Sequence, residues 1–213
     1  MNMNKVFCFG MSGGCLDAFY LYKEIYKNTR EVFFLSNQHS VGDVLFDHIV
    51  SGPFEFINNS KIKGTEFIYQ CGSSDNHISR NVWFDKAIMN GMRPITLISS
   101  LAYLHESVSV GEGTIIYPGA RIMANVNIGK NCIILPNAVI NHDSIIGDFT
   151  IINSSCVING NVKIGKNCYI GSSTSIKENV YILSKSTIGM CSLILDSIDK
   201  EGLYFGSPAK FIR

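Results

Sequence analysis

The chain has 213 residues, of which 46% are hydrophobic and only 16% are charged, and its formal net charge is +1. A chain this apolar can bury enough surface to offset the entropy of ordering, which excludes intrinsic disorder and allows one large domain or two small ones. The near-neutral charge excludes the polybasic footprint of proteins that bind nucleic acid or anionic membranes. The longest apolar stretches, about five residues, are too short to span a bilayer, and the amino terminus lacks the apolar core of a signal peptide. We therefore expect a cytoplasmic location.

Strands and helices are predicted to alternate through the first hundred residues. In chain order we expect strands at 5–9, 31–35, 66–70 and 95–98, and helices at 15–26 and 76–90. This alternation is typical of a small parallel α/β domain of the Rossmann-like kind. We place this domain at residues 1–101.

A glycine-rich turn follows the first predicted strand. It reads Gly10-Met11-Ser12-Gly13-Gly14 and leads into the first predicted helix, where backbone N–H groups can hold phosphate. The turn is not Gly-x-Gly-x-x-Gly, and tight turns also recruit glycine, so a structural role stays open. Ser36, Asn37 and Gly72 follow later strands and would lie at the same sheet edge, where open α/β sheets bind ligands.

A six-residue repeat organises the second half of the chain. The position four residues after each repeated aliphatic is nearly always small or β-branched, and the position three after it is often Gly or Asn, which tolerate positive φ at a corner. Sixteen consecutive hexads begin with an aliphatic residue: Leu104, Val110, Ile116, Ile122, Ile128, Ile134, Ile140, Ile146, Ile152, Ile158, Ile164, Ile170, Ile176, Ile182, Ile188 and Ile194.

A period of six is neither that of a helix nor that of a hairpin. It predicts short strands that turn a corner every six residues, with the large aliphatic side chain inside. Three such sides make a coil of 18 residues, so the sixteen hexads predict a parallel β-solenoid of about five coils, each burying the apolar face of its neighbour. The spacing alone leaves the handedness open.

The seven cysteines are not arranged in Cys-x-x-Cys pairs, and their odd number argues against a disulfide framework. We interpret them as small apolar residues, and Cys132, Cys156 and Cys168 occupy the small position of the hexads.

Of the five histidines, only His142 lies in the solenoid beyond its first hexad. One histidine is too few to supply the three protein ligands of a catalytic zinc. We predict no metal site.

His142 and Asp143 stand out within the regular hexads. His142 is at a position that points outward near a corner, and Asp143 follows at the turn position. One interpretation is a surface histidine beside a turn aspartate. The other is a general base, because an imidazole titrates near neutral pH and a carboxylate partner raises its basicity. Gly160, one coil further along the same column, leaves space and an exposed N–H beside His142, and another outward column holds Ser172 and Met190. Such small-residue strips could accept a long, thin ligand.

Four segments carry a resemblance to a known family. They are residues 141–149 with the His-Asp pair, residues 160–168, the carboxy-terminal run 206–210 that reads Gly-Ser-Pro-Ala-Lys, and the turn at residues 10–13. Through them the whole chain resembles the left-handed β-helix sugar acetyltransferases, typified by sialic acid O-acetyltransferases and PglD-type nucleotide-sugar N-acetyltransferases. The resemblance implies a left-handed solenoid at residues 102–199 and a closing loop at residues 200–213.

The resemblance also implies a function and a set of site residues. The protein would be a homotrimer that acetylates the amino group of a nucleotide-linked sugar with acetyl-CoA bound between neighbouring subunits. His142 would be the general base, Asp143 would raise its basicity, and a backbone N–H near Gly160 would stabilise the oxyanion. Contacts to acetyl-CoA would come from Ile151, Ser172 and Met190. The nucleotide would be held by Ser12, Gly13, Gly14, Ser36, Asn37 and Gly72.

This sequence departs from the family pattern at three places. Gly14 and Cys15 replace a His-Gly pair at the end of the glycine-rich turn, and Ser36-Asn37 replaces two acidic residues. Ile151 stands where a second histidine often lies. Sugar O-acetylation, and a non-catalytic trimer that binds nucleotide sugars, remain alternatives to N-acetylation.

Overall fold

The chain divides into two units, formed by residues 1–71 with 80–97 and by residues 72–79 with 98–213. The structure is a computed structural model that describes residues 5–27, 30–59, 62–72 and 77–213. Within these ranges no helix has the length and apolarity needed to cross a membrane.

The first unit is a sheet of six strands with two helices. Its elements are β1 (Lys5–Phe9), α1 (Gly13–Tyr26), β2 (Glu31–Leu35), β3 (Val44–Leu45), β4 (His48–Gly52), a 3₁₀ helix (Phe54–Asn58), β5 (Glu66–Tyr69), α2 (Asn81–Met89) and β6 (Arg93–Pro94). The order across the sheet is β3, β4, β2, β1, β5, β6. Neighbouring strands run parallel, except that β3 and β4 form an antiparallel hairpin.

The central strand β1 is covered on both faces, which explains its continuous apolar sequence. On one face the Phe9 ring lies 5.2 Å from that of Phe54 and 5.6 Å from that of Phe67. On the other face α1 packs on the sheet, where the rings of Phe19 and Phe34 are 5.0 Å apart. The carboxyl ends of β1, β2, β4 and β5 therefore share one edge between two packed layers.

The predicted α/β pattern is confirmed, with shifts at its ends. The strands at 5–9 and 31–35 form as predicted, and α1 begins two residues earlier than predicted, at Gly13. The predicted helix start at Asn76 lies outside the described residues, and α2 begins at Asn81. The single strand predicted at 95–98 is wrong, because the chain leaves the first sheet after Pro94 and enters the solenoid at Leu97–Ile98. The β3–β4 hairpin was not predicted, since β3 has only two residues and the buried alternate positions of β4 are Val50 and a glycine, Gly52.

The second unit is a solenoid whose strands form three sheets. Sheet I contains Leu97–Ile98, Ile115–Ile116, Ile133–Ile134, Ile151–Ile152, Tyr169–Ile170, Thr187–Ile188, Leu203–Gly206 and Ala209–Phe211. Sheet II contains Tyr103–Leu104, Arg121–Ile122, Val139–Ile140, Val157–Ile158, Ser175–Ile176 and Leu193–Ile194. Sheet III contains Ser109–Val110, Asn127–Ile128, Ile145–Ile146, Lys163–Ile164 and Tyr181–Ile182.

Parallel pairing fixes the coil at 18 residues, as the hexads predicted. Ile133 pairs with Ile151, Val139 with Val157 and Ile145 with Lys163. The second residue of each strand points inward, and these aliphatic residues form one continuous core from Ile116 to Ile194. The corners have positive φ at the predicted position, even where the residue is neither Gly nor Asn, as at Phe149 and Lys185.

The small residues four positions after each repeated aliphatic residue also form hydrogen bonds, because their hydroxyl and thiol groups donate to carbonyl groups of the next coil. Thr150 Oγ1 donates to the Gly165 carbonyl at 2.8 Å, and Cys168 Sγ donates to the Leu183 carbonyl at 3.2 Å. Burial raises the pKa of Cys156 to about 11 and that of Cys168 to about 12, so these thiols stay protonated near neutral pH. This agrees with the prediction that they have a packing role.

The solenoid is slightly longer than the predicted five coils. It begins one side earlier than the first counted hexad, at Leu97–Ile98, and Leu203–Gly206 continues sheet I beyond the last one. That last strand turns back through the antiparallel strand Ala209–Phe211. Residues 77–79 pack on the outside of sheet I, where the rings of His77 and Tyr169 are 5.8 Å apart.

His48 of the first unit is half-buried and has a ring nitrogen without a hydrogen-bond partner among the described residues. The His48 ring is stacked on Phe34 at 4.7 Å and meets the Phe19 ring edge-on at 4.8 Å. Its Nε2 atom is buried and has no hydrogen-bond partner among the described residues. Burial and, to a lesser degree, Lys23 lower the pKa of His48. The folded unit therefore binds a proton here less readily than the unfolded chain does.

Acid should destabilise the first unit through His48. The pKa of His48 is lower in the folded protein than in the unfolded chain, where it is about 6.5. Its contribution to the free energy of unfolding is therefore fully present above about pH 6.5 and is lost as the pH falls below that value. We expect the urea midpoint, followed by the fluorescence of the single tryptophan Trp83, to drop between pH 7.5 and 5. His48→Phe should flatten this dependence. An equal drop in both proteins would contradict the assignment.

Candidate active site

The hexad that contains His142 turns the corner between sheet II and sheet III. Ile140 ends the strand Val139–Ile140 and is fully buried in the core, and Asp143 takes up a φ of 61° at the corner. Asn141 holds the turn by donating from Nδ2 to the Ile158 carbonyl at 3.2 Å. His142 therefore projects outward, and 66% of its side chain is exposed.

His142 and Asp143 form a hydrogen-bonded pair. The distance from His142 Nδ1 to Asp143 Oδ2 is 2.8 Å, and Asn125 Nδ2 donates to Asp143 Oδ1 at 3.0 Å. The hydrogen bonds from His142 and Asn125 hold the pKa of the Asp143 carboxyl below its usual value. An ionised carboxylate only accepts hydrogen bonds, so the Nδ1 atom carries the proton and the Nε2 atom of the neutral ring is left as an acceptor.

Gly160 lies directly against the imidazole. A Cβ atom at Gly160 would be 2.7 Å from both Cε1 and Nε2 of His142. The predicted space beside His142 therefore exists because residue 160 has no side chain. The Gly160 carbonyl accepts a hydrogen bond from the Asn179 N–H at 3.1 Å, whereas no hydrogen bond in the described ranges uses the Gly160 N–H.

The residues predicted to contact acetyl-CoA lie elsewhere on the solenoid. Ser172 and Met190 follow the strands Tyr169–Ile170 and Thr187–Ile188, at the corner between sheet I and sheet II. Met190 is 65% exposed. Ile151 lies within sheet I and is 3% exposed, so a ligand has little access to its side chain. A single chain therefore does not bring these three residues to the corner that holds His142.

The glycine-rich turn of the first unit begins α1. Ser12 caps the helix without a side-chain hydrogen bond, and the space that a Cβ atom of Gly13 would occupy is open. Gly14 lies against Gln70, whose Nε2 atom would be 2.9 Å from an added Cβ atom. Cys15 is buried and donates from Sγ to the Gly10 carbonyl at 3.0 Å. Ser12 and Gly13 are exposed at the start of this 14-residue helix, the kind of position at which proteins bind anions.

Ser36 and Asn37 lie at the same edge as this turn, as predicted. The Gly10 N–H donates to the Leu35 carbonyl at 2.8 Å, which ties the two strand ends together. Ser36 is 3% exposed and its Oγ atom accepts from the Gln38 N–H, whereas Asn37 is exposed.

Gly72 belongs to the second unit and has a φ of 146°. It follows Cys71, whose Sγ atom donates to the Phe9 carbonyl at 3.1 Å.

Sequence reasoning missed Asn125 as a member of the candidate site. The 18-residue coil places Asn125 at the same corner as Asp143, one coil earlier, and this spacing was the available signal. The described residues contain no group of three or more His, Cys, Asp or Glu side chains arranged to hold a metal ion.

Comparisons with known proteins concern the repeat and the fold of the chain. The model of the bacterial transferase hexapeptide (six repeats) matches residues 107–142, 125–160 and 143–178. No curated protein sequence matches the chain.

Several solved structures share the fold over nearly the whole chain. The acetyltransferase domain of PglB from Neisseria gonorrhoeae FA1090, in complex with acetyl coenzyme A, has a TM-score of 0.85 and 21% identity over 99% of this chain and 100% of that chain. WeeI from Acinetobacter baumannii AYE has a TM-score of 0.87 and 21% identity over 99% and 100%. PerB from Caulobacter crescentus, in complex with CoA and GDP-perosamine, has a TM-score of 0.83 and 22% identity over 99% and 97%.

At these identities the structural likeness concerns the fold. Together with the repeat matches, it confirms the fold that the resemblance implied, a small α/β unit followed by a parallel β-solenoid. Residues 107–178 of the second unit therefore carry the hexapeptide repeat of bacterial transferases, and the unit is a parallel β-solenoid.

Proposed function

We propose that the chain is an acetyl-CoA-dependent N-acetyltransferase that acts on the amino group of a nucleotide-linked amino sugar. The observation that carries the proposal is the His142–Asp143 pair, with its 2.8 Å hydrogen bond and its exposed imidazole. A surface histidine with only a structural role has no need of an oriented carboxylate or of a glycine against its ring. The complexes of PglB with acetyl coenzyme A and of PerB with CoA and GDP-perosamine support the same chemistry.

The pair is arranged for general base catalysis. Asp143 fixes the tautomer in which His142 Nε2 is unprotonated, and Nε2 accepts a proton from the acceptor amine as its nitrogen attacks the thioester carbonyl. A new C–N bond forms, the C–S bond breaks, and the protonated His142 returns the proton to the departing thiolate of CoA. Asp143 stabilises the imidazolium in between, as the carboxylate does in a Ser-His-Asp triad.

Gly160 contributes in two ways. Its missing side chain lets the substrates reach Nε2, because any Cβ atom would lie against the ring. Its N–H, which no described hydrogen bond uses, lies one coil from His142 and would stabilise the negative charge that develops on the carbonyl oxygen. Such a donor changes the rate by about 10²–10³-fold.

The acetyl donor requires a second subunit. His142 and Gly160 lie at the corner between sheets II and III, whereas Ser172 and Met190 lie at the corner between sheets I and II. A groove between neighbouring solenoids, in which one subunit presents the first corner and its neighbour presents the second, would bring all four residues to one ligand. This is the trimer that the sequence resemblance implied.

The first unit would hold the nucleotide of the acceptor. Ser12, Gly13 and Gly14 form the helix N-terminus at which the phosphates would bind, and Ser36 and Asn37 lie along the same sheet edge. Gly72, with a backbone that favours glycine, begins the segment that leads to residues 77–79. Ile151 would contribute to acetyl-CoA binding through its backbone.

Asp143→Asn should lower kcat by about 10²–10⁴-fold, because it should reverse the tautomer of His142. Asn125 Nδ2 needs an acceptor, so it should hold the oxygen of the new amide and turn the NH₂ group toward His142 Nδ1. Nε2 would then carry the proton and could not accept one. Adding Asn125→Gly, which keeps the left-handed backbone at φ 61°, should let the amide turn and restore part of the rate. No recovery in the double variant would contradict this explanation.

Gly160→Ala should lower acetyl transfer by at least tenfold with little loss of thermal stability, because the added methyl group meets the exposed His142 ring, which can move aside. Gly147→Ala is the matched control, since its Cβ atom would be 2.6 Å from the backbone carbon of Gly165 and would disturb coil stacking instead. The two variants should thus separate in melting temperature. Full activity of Gly160→Ala would count against a reacting group at this face of the imidazole.

His142→Ala and Ser172→Trp should complement each other if the site lies between subunits. Each variant alone should lose at least about 10²-fold in CoA release from acetyl-CoA with a 4-amino sugar nucleotide as acceptor. Coexpression should restore about a quarter of the sites, because one interface in four pairs an intact His142 with an intact Ser172. Mass spectrometry of the product separates an amide from the ester expected of a sugar O-acetyltransferase. Unchanged CoA release by His142→Ala would contradict its role as the general base, whereas no CoA release by the unaltered chain would favour the non-catalytic scaffold.

A further inference from the structure

The side chain of Asn37 is held in one orientation by the backbone of the first unit. The Phe54 N–H lies 2.6 Å from the Asn37 side-chain oxygen. Because a backbone N–H can only donate, the atom that faces it is the oxygen and not the NH₂ group. Phe54 is itself fixed, since its ring packs at 5.2 Å on Phe9 and at 5.4 Å on Trp83.

This arrangement leaves the NH₂ group of Asn37 as an outward donor. Asn37 is exposed, and its Nδ2 atom has no acceptor within the described ranges of the chain. A freely rotating carboxamide would offer a donor or an acceptor with equal ease. Here the oxygen is already engaged, so a ligand at this edge meets a donor.

The position of Asn37 places this donor beside the glycine-rich turn. Asn37 is two residues beyond Leu35, which pairs with Phe9 and accepts from the Gly10 N–H at 2.8 Å. Neighbouring strands are about 4.8 Å apart. A nucleoside diphosphate with its phosphates at Gly13 would therefore extend its base along the edge where Asn37 lies.

We propose that Asn37 selects the base of the nucleotide, and that it favours a base that presents a carbonyl oxygen over one that presents an amino group at the same ring position. This inference rests on the proposed function, because it assigns a preference to the nucleotide site of the first unit. The preferred ligands are uridine or guanosine diphosphates, and the disfavoured ones are their cytidine and adenosine counterparts. Asn37 is a specificity residue and takes no part in the acetyl transfer.

Asn37→Asp changes this preference without disturbing the loop. One carboxylate oxygen still accepts from the Phe54 N–H, and the NH₂ donor is replaced by a second acceptor of the same size. The added charge should weaken the binding of every diphosphate, so the informative quantity is the ratio of affinities within each pair, UDP to CDP and GDP to ADP. Gln38→Glu adds the same charge at the exposed neighbouring residue and is the matched control. Trp83 fluorescence reports whether Phe54 stays in place.

Calorimetric titration of the full chain with the four diphosphates tests the proposal. In the pair that binds more tightly, the carbonyl member should bind about tenfold better than the amino member, the worth of one hydrogen bond. Asn37→Asp should reverse this ratio and Gln38→Glu should leave it unchanged.

A preference for CDP or ADP in the unaltered chain, or a ratio that Asn37→Asp does not change, would overturn the role of Asn37. Either result would leave nucleotide binding and the His142 reaction as they stand. Binding of none of the four diphosphates would instead remove the nucleotide site, and with it both the proposed acceptor and the role of Asn37.

Discussion

Parallel pairing between residues 18 apart is the constraint on which the second unit depends. Each two-residue strand bonds to the strand one coil before and one coil after it, so every column of side chains is repeated at the spacing of a β-sheet, about 4.8 Å. The aliphatic column fills the interior, and the corner column accepts positive φ. The same constraint brings Gly160 against His142 and Asn125 to Asp143, although these residues are far apart in sequence.

Much of this architecture follows from the sequence because its physical causes are local and periodic. An aliphatic residue at every sixth position has one way to become buried, so the hexads predict the strands, the corners and the core together. The two ends of the solenoid were harder to predict from the sequence. Ile98 lies six residues before Leu104 but is 37% exposed at the end of the solenoid, and Tyr204 pairs with Ile188 at a spacing of 16 residues instead of 18. The first end therefore keeps the six-residue step without the burial that marks it elsewhere, and the last coil departs from the step.

In the first unit the continuous apolar strands β1 and β2 were predictable, since strands buried on both faces lack polar positions. The hairpin of β3 and β4 was not, because the apolar residues Val44 and Ile49 are exposed and β3 has only two residues. The contacts of the candidate site likewise include some that could be predicted from the sequence and some that could not. The His142–Asp143 pair is adjacent in sequence and could be found, whereas the bond from the Phe54 N–H to Asn37 joins residues 17 apart through a loop without a repeat. Contacts of that kind depend on tertiary packing and leave no pattern in the sequence.

The parallel pairing of residues 18 apart also limits how the length of this protein can change. Loss or gain of 18 residues beyond Gly160 would return every later side chain to its own face and leave the histidine with its glycine neighbour. A change of six residues would rotate all that follows by one face of the prism and move the column of Ser172 and Met190 to a different edge. Lengths in this fold are thus expected to vary by whole turns, with single-residue changes confined to the corners, where an outward loop does not alter the register of the next strand.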